Sequence, residues 1–213
     1  IVFSILFFAI FEQAGGSLAL FAKGNIHPTL FGASLDPNVV NNGANSLFVI
    51  IFAPIIGLIW IWLSKKNKEP NTVIKFGLGF LFLAGGYYIF YTMRFFSDAQ
   101  GLSSLEVFTL AYLVVTISEL CLSPIGLSMV TKLSPKYLGG MMMGLWFLAS
   151  AYGQYIGGKM GASMSVTKEN ATLIDKMLAY TGGYKELALY SLIAGIILIL
   201  VSPLIRKLMR EVK

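Results

Sequence analysis

Long apolar segments dominate this chain, and its polar positions collect in the shorter stretches between them. A helix that spans a bilayer needs about 20 predominantly apolar residues, and six segments meet that requirement. They cover approximately residues 1–22, 44–63, 73–94, 104–131, 139–161 and 186–205. The two longest connections, 23–43 and 162–185, are rich in Gly, Asn, Pro and Thr. The pattern therefore predicts an all-α membrane protein with six transmembrane helices and no soluble domain.

Composition supports this class, because 56% of the 213 residues are hydrophobic and only 12% are charged. Soluble domains carry roughly 25% charged residues. The net charge of +6 does not indicate nucleic-acid binding, since the basic residues lie in short loops and at the C-terminus. The chain enters apolar sequence at Ile1 without a starting Met or a basic n-region, which is not a signal-peptide pattern. We expect it to be an internal piece of a larger protein.

The distribution of Lys and Arg predicts the orientation of these helices, because cytoplasmic loops carry an excess of them. One side of the predicted membrane collects Lys65, Lys66, Lys68, Lys75, Lys132, Lys136, Arg206, Lys207, Arg210 and Lys213. The other side holds Lys23, Arg94, Lys159, Lys168, Lys176 and Lys185, offset by Asp36, Asp98, Glu106, Glu169, Asp175 and Glu186. The first side should be cytoplasmic, with the C-terminus and the start of the chain inside a plasma (inner) membrane.

Two carboxylates, Glu12 and Glu119, lie deep inside predicted membrane helices. A charge in hydrocarbon costs at least a few kcal/mol, and such residues usually face a water-filled cavity or a partner. No basic residue lies near the centre of any predicted helix. Their partner should therefore be another part of the protein, a cationic group of a substrate, or a proton.

Hydroxyl-bearing residues surround the second of these glutamates along the fourth helix. Tyr112, Thr116, Glu119 and Ser123 follow one another at spacings of four, three and four, so they share a helix face. Such a stripe predicts the wall of a polar cavity. A hydrogen-bonded seam between two helices is the alternative.

Near the first glutamate, Phe8 lies one turn earlier and offers an aromatic lid or a side-chain pocket. Gln13 points off that face, and we interpret it as a packing hydrogen bond. On the second helix Asn45 is the deepest of three asparagines and the one most able to reach inward. Asn41 and Asn42 are more simply interpreted as turn or cap residues.

The fifth helix presents Trp146, Ser150 and Gln154 at four-residue intervals, so the three could line one wall of a cavity. Ordinary apolar packing is an equal alternative for the tryptophan.

Several helices contain residues that disturb or tighten helix packing. Pro124 follows Glu119 by five residues, which predicts a disturbed helix beside the charge, as in transporters that bend helices around a site. The motif Gly153-x3-Gly157-x3-Gly161 places small residues at the spacing that lets membrane helices approach closely, so tight packing is its plain explanation.

Enzymatic chemistry has no support in the sequence. The single cysteine, Cys121, excludes internal disulfides and cysteine metal clusters. The single histidine, His27, lies in a loop without ligand partners nearby. No nucleophile–base pair occurs at helical spacing, so we expect no enzyme, no cofactor and no metal.

Four stretches resemble motifs of the proton-coupled oligopeptide transporters. Residues 11–18, FEQAGGSL, resemble the seventh-helix motif of that family, and residues 45–50, NSLFVI, followed by AP at 53–54, resemble the eighth. Residues 118–128, SELCLSPIGLS, continued by TKLSP at 131–135, are similar to its tenth-helix signature. Residues 140–148, GMMMGLWFL, are similar to its eleventh helix. The tenth-helix match is the specific one.

The resemblance implies the C-terminal six-helix bundle of a major facilitator fold, made of two inverted three-helix repeats. The N-terminal bundle, with its own proton-coupling motif, is expected to be a separate part absent from this chain. The short connection 95–103 resembles bacterial members, because animal relatives carry a large extracellular domain there. Partners implied are di- and tripeptides, protons, the N-terminal bundle and the lipid bilayer.

The family also implies roles for individual residues. Glu12 matches the carboxylate that takes up a proton and couples it to gating, and Glu119 the one that holds the peptide amino terminus and pairs with a lysine of the N-terminal half. The implied substrate-binding residues are Glu119, Asn45, Trp146, Ser150, Ser123 and Phe8. Two departures matter, since Phe8 stands where many members have Trp, and Ser46 where Pro often follows the asparagine.

Two other functions are compatible with the residues. The protein could carry another solute, such as nitrate or a modified peptide. It could also be a membrane assembly subunit without transport activity, which would tolerate Glu12→Ala and Glu119→Ala and would leave two costly charges unexplained.

Overall fold

The computed structural model describes residues 2–165 and 171–209, and within them the chain is almost entirely helical. The α-helices are α1 Val2–Phe11, α2 Ser17–Asn25, α3 Pro37–Lys65, α4 Thr72–Thr92, α5 Leu105–Leu133, α6 Gly139–Met164 and α7 Leu173–Met209. Short 3₁₀ turns cover Glu12–Gly15, Met93–Phe95 and Lys136–Leu138. A two-stranded antiparallel hairpin, β1 Thr29–Leu30 and β2 Ala33–Ser34, lies between α2 and α3.

Five helical stretches in the described part of the chain are long and apolar enough to cross a membrane. They are Val2–Asn25, Pro37–Lys65, Thr72–Phe95, Leu105–Leu133 and Leu173–Ile205. Helix α6 has 26 residues, a sufficient length, but its Gly, Ser, Tyr and Gln residues reduce its hydropathy. The all-helical membrane architecture is thus present, whereas six spans arranged as two inverted repeats stay a prediction.

Two helices begin earlier than the hydrophobic pattern predicts. Helix α3 begins at Pro37 instead of about residue 44, because Asp36 caps it by accepting a hydrogen bond from the Asn38 N–H at 2.8 Å. Helix α7 begins at Leu173 instead of about 186. Thr172 and Asp175 exchange hydrogen bonds between side chain and backbone in a reciprocal cap. Hydropathy marks the apolar part of a helix, whereas caps decide where its polar first turns begin.

Glycines bring the helices into close contact on both sides of the bundle. A Cβ at Gly77 of α4 would lie 2.7 Å from Ile199 of α7, and one at Gly86 would lie 2.5 Å from Val115 of α5. A Cβ at Gly153 of α6 would lie 2.5 Å from the Cβ of Phe8 in α1. The four-residue glycine spacing of α6 therefore serves tight packing, as expected from the sequence.

The loops at one end of the bundle are tied to each other. The hairpin turns at Phe31 and Gly32, whose φ angles of 49° and 83° match the turn that joins twisted strands over two residues. His27, for which the sequence showed no metal-ligand partners nearby, contacts the Asp98 carboxylate through Nε2 at 3.0 Å. The sequence did not predict this contact because Asp98 is distant along the chain and adjacent only in the fold.

Candidate substrate and proton site

The first membrane span is broken at its glutamate. The α-helix α1 ends at Phe11, the 3₁₀ turn Glu12–Gly15 follows, and α2 begins at Ser17. Gly16 carries the break, with φ −126° and ψ −110°, a conformation far from any helix. Glu12 therefore lies on a 3₁₀ turn between two α-helices and not on a continuous α-helix.

Gln13 holds the two halves of this broken span together and is fully buried. Its Nε2 donates to the carbonyls of Ala9 at 3.1 Å and Gly157 at 2.9 Å, while its Oε1 accepts from the Ser17 hydroxyl at 2.7 Å. These bonds join α1, α2 and α6. The interpretation of Gln13 as a packing hydrogen bond is confirmed, and its role is to stabilise the break beside Glu12.

Glu119 is held from the opposite helix by an amide. The Nδ2 of Asn45 on α3 donates to Oε2 of Glu119 at 2.9 Å and to Oγ1 of Thr116 at 3.3 Å. The Thr116 hydroxyl in turn donates to the Tyr112 carbonyl one turn earlier at 2.8 Å. The expectation that Asn45 reaches inward is confirmed, and this bond orients the Glu119 carboxylate.

Asn41 is a site residue that sequence reasoning misjudged. It is buried within α3, four residues after that helix begins, and therefore is not a turn or cap residue. Its Nδ2 donates to the Ala14 carbonyl at 2.9 Å, and its Oδ1 accepts from the Tyr112 hydroxyl at 2.5 Å. The missed signal was its spacing of four from Asn45, which places both amides on one face of α3.

These elements enclose a cavity of about 300 Å³ between the broken span, α3 and α5. Its lining residues are Phe11, Glu12, Ala14, Gly15, Leu18, Asn41, Asn42, Asn45, Ser46, Tyr112, Val115 and Glu119. Both glutamates thus line one cavity, and no Lys, Arg or His is among its lining residues. The site holds two acids and several neutral amides, an environment suited to a cation or a proton.

Other predicted site residues do not line this cavity. The ring of Trp146 is almost completely buried and meets Phe8 edge to face, with centroids 6.1 Å apart. A Cβ at Gly126 would lie 2.1 Å from the Trp146 ring, so the indole fills the space left by that glycine. Ser150 is half-buried, and the buried Oγ of Ser123 has no hydrogen-bond partner among the described residues. Their substrate contacts stay a prediction.

The helix interruption also lies elsewhere than expected. Helix α5 runs from Leu105 to Leu133 as one α-helix through Pro124, so the predicted disturbance after Glu119 does not interrupt that helix. The broken backbone is beside Glu12 instead. Gly15 and Gly16 have no side chain that would restrict the backbone beside Glu12. In α5 the residues on both sides of Pro124 stay in the α-helix.

Among residues 2–165 and 171–209, no three His, Cys, Asp or Glu side chains are grouped so that they could hold a metal ion.

Comparison with known proteins places this chain in a family. The sequence model of the POT family matches residues 1–177. The chain belongs to the POT family. The resemblance identified from the helix motifs is thereby confirmed.

Individual relatives agree with this assignment. The chain is 35% identical over 209 residues to the uncharacterized transporter YclF of Bacillus subtilis (strain 168), covering 98% of this chain and 39% of the relative. It is 29% identical over 205 residues to dipeptide and tripeptide permease B of Salmonella typhimurium, covering 96% and 42%. These relatives are named as a transporter and a permease, not as enzymes. The chain spans about two fifths of their length.

Solved structures show the same fold. A crystal structure of a peptide transporter POT in complex with sulfate superposes with a TM-score of 0.79 at 31% identity, covering 95% of this chain and 38% of that one. A POT family transporter in complex with 5-aminolevulinic acid gives a TM-score of 0.79 at 28% identity, covering 95% and 39%. The helical bundle described above is therefore that of a POT family membrane protein.

Proposed function

We propose that this chain is the C-terminal bundle of a proton-coupled symporter that imports di- and tripeptides by alternating access. The observation that carries the proposal is the cavity between the broken span, α3 and α5, which is lined by two carboxylates and no basic residue. A peptide brings the cationic amine that such a cavity lacks. Membership in a family with dipeptide and tripeptide permeases supports the substrate class.

In this proposal Glu119 binds the amino terminus of the peptide. Its Oε2 is held by Asn45, which fixes the direction of the carboxylate without supplying a countercharge. An ammonium group bound to the other oxygen would complete a charge-assisted hydrogen bond, the stronger kind. Asn45 would contact the same amine through its carbonyl oxygen.

Glu12 is proposed to carry the proton. It lies on the 3₁₀ turn Glu12–Gly15, whose hydrogen bonds through Gln13 connect α1, α2 and α6. A charge pair in a confined site is strong compared with one in water, and protonating a glutamate removes that attraction. A proton at this turn could therefore couple binding to movement of the helices that meet there.

The remaining predicted contacts concern the peptide side chains. The aromatic pair Phe8 and Trp146, together with Ser150 and Ser123, would extend the site beyond the cavity of the single bundle. Because this chain spans about two fifths of its relatives, we propose that an N-terminal bundle forms the opposite wall. Helix α3 supports this, since Leu47, Ile50 and Leu58 are more than half exposed and need either lipid or that bundle.

We also propose a bacterial inner membrane as the location, with the C-terminus in the cytoplasm. The excess of Lys and Arg on that side of the predicted helices supports this orientation.

The test is uptake of labelled dialanine into proteoliposomes by the full-length protein, with and without an inward proton gradient. We expect Glu119→Gln to abolish uptake, because the ammonium loses its countercharge. We expect Glu12→Gln to retain peptide exchange while losing gradient-driven accumulation.

Glu106→Gln is a matched control, since this acid lies in the first turn of α5, outside the cavity. Its carboxylate accepts hydrogen bonds from the Phe31 N–H and the Ser104 hydroxyl. This variant should transport like the wild type. Unchanged gradient-driven uptake in both cavity variants would refute the assigned roles. Excess unlabelled dialanine and trialanine should compete with the uptake of labelled dialanine. No dialanine uptake by demonstrably folded wild-type protein would move the assignment to another solute.

A further inference from the structure

Two cations converge on one aromatic ring at the far end of α4, away from the cavity. The guanidinium carbon of Arg94 lies 5.3 Å from the centroid of the Tyr91 ring, and the Nζ of Lys185 on α7 lies 5.6 Å from it. Each distance fits a cation–π contact. The two like charges repel each other, so an anion beside the ring would stabilise them.

The N–H donors of Arg94 and Lys185 make few hydrogen bonds within the described residues. Arg94 donates through Nη2 to the Leu178 carbonyl at 3.0 Å, but its Nε is buried and has no hydrogen-bond partner among the described residues. No carboxylate in residues 2–165 or 171–209 lies within 4 Å of Arg94 or Lys185. A buried donor without a partner is uncommon and costs free energy, so the described residues do not fully satisfy the guanidinium group of Arg94.

The surroundings of the pair are those of a membrane surface. Tyr88 and Phe95, on the same segment, are 57% and 66% exposed. Exposed aromatic side chains at a helix end are typical of the membrane–water interface. None of the residues that line the peptide cavity belongs to α4 or α7, so this surface is separate from the proposed transport site.

Orientation strengthens the case for a ligand. This end of α4 and α7 is the predicted non-cytoplasmic side, from which Lys and Arg are normally depleted. Simple snorkelling of two basic side chains to the interface is the plain alternative. Snorkelling accounts for their position but not for the two cations on a single ring without a carboxylate beside them.

We propose that Arg94 and Lys185 form a phosphate-binding site for the headgroup of an anionic phospholipid. Arg94 would donate to a phosphate oxygen through the outer end of its guanidinium group, where only Nη2 is already bonded, to the Leu178 carbonyl; guanidinium groups are well suited to phosphate. Lys185 would supply the second charge, and the Tyr91 ring holds both cations in place. A free phosphate ion offers the same chemistry, so the source of the phosphate group is decided by experiment.

The experiment measures binding of phosphatidylglycerol to the detergent-solubilised full-length protein by native mass spectrometry, with phosphatidylcholine and inorganic phosphate as parallel ligands. Each Lys or Arg near an anionic lipid contributes to the binding affinity through its charge. Removing both should therefore weaken phosphatidylglycerol binding about tenfold or more. The test variant is therefore Arg94→Gln with Lys185→Gln. Lys185→Gln alone gives a second measurement with less risk to folding, since this lysine is exposed and makes no hydrogen bond among the described residues.

Lys159→Gln is the matched control, because Lys159 lies alone over the Tyr155 ring at 4.8 Å. Preferential phosphatidylglycerol binding that both test variants weaken and the control preserves supports the lipid site. Equal competition by inorganic phosphate would support the phosphate site with a free anion as its ligand. Equal affinity for phosphatidylcholine, or unchanged binding in the double variant, would overturn the proposal.

Discussion

The buried amide of Asn41 links three elements of the site, and its replacement gives the sharpest test of how the cavity is held. Asn41→Leu keeps a side chain of similar size but removes the bond to the Ala14 carbonyl and the bond from the Tyr112 hydroxyl. A hydrogen bond contributes about 1 kcal/mol net in proteins and roughly 0.6 kcal/mol between membrane helices. Two lost bonds, with a buried hydroxyl left unpaired, predict a loss of about 2 kcal/mol in the free energy of unfolding.

A double-mutant cycle with Tyr112→Phe isolates the contact between the two side chains. Tyr112→Phe removes only the hydroxyl bond and should cost about 1 kcal/mol. The double variant has no further bond to lose beyond those lost in Asn41→Leu. It should therefore be about 1 kcal/mol more stable than the sum of the single variants predicts.

Unfolding of the full-length protein in mixed detergent micelles, followed by tryptophan fluorescence, measures these differences. Asn42→Leu is the control, because Asn42 is exposed and shares only a 3.4 Å contact with its neighbour. It should change the free energy of unfolding by less than about 0.5 kcal/mol. The reasoning is refuted if Asn41→Leu costs no more than this control, or if the two side chains show no coupling.

Two further changes test the packing and the loops. Gly157→Ala should destabilise the protein by about 1–3 kcal/mol, because its Cβ would lie 2.7 Å from a backbone carbonyl oxygen of α1. Gly158→Ala, whose Cβ would meet no atom within 4 Å, should leave the same unfolding measurement unchanged; equal effects of the two would contradict the packing argument. A third prediction concerns the loop residue Asp98. The pKa of its carboxyl is lowered mainly by the hydrogen bond from the Leu102 N–H and to a smaller extent by His27. Its stabilising effect is therefore present above about pH 4 and lost as the pH falls below that value, so Asp98→Asn should flatten the melting temperature measured between about pH 5 and pH 3. A variant with the wild-type acid dependence would show that this carboxyl does not contribute.

The sequence by itself determined the local properties of the chain. Long apolar runs predicted the membrane helices. In a bilayer a single segment can hydrogen-bond all its backbone N–H and C=O groups only by forming a helix. Two isolated carboxylates marked the candidate site, since a charge in hydrocarbon is costly and usually has a partner or a role. The motifs around them identified the family, which the comparisons confirmed.

Helix ends were predicted less well because hydropathy and helix formation are different properties. Helix α7 extends to Leu173, through a segment polar enough to look like a loop. Its cap at Thr172 and Asp175 depends on a few side-chain bonds and not on the average character of the segment.

Only the tertiary structure decided which side chains meet. Spacing placed Glu119 on one helix face and Asn45 on another, but the 2.9 Å bond between them depends on how α3 packs against α5. Asn41 looked like a cap residue because its partners, Ala14 and Tyr112, lie 27 and 71 positions away. Periodicity determines the face of a helix on which a residue lies, whereas the neighbour of that face is decided by the packing of the whole bundle.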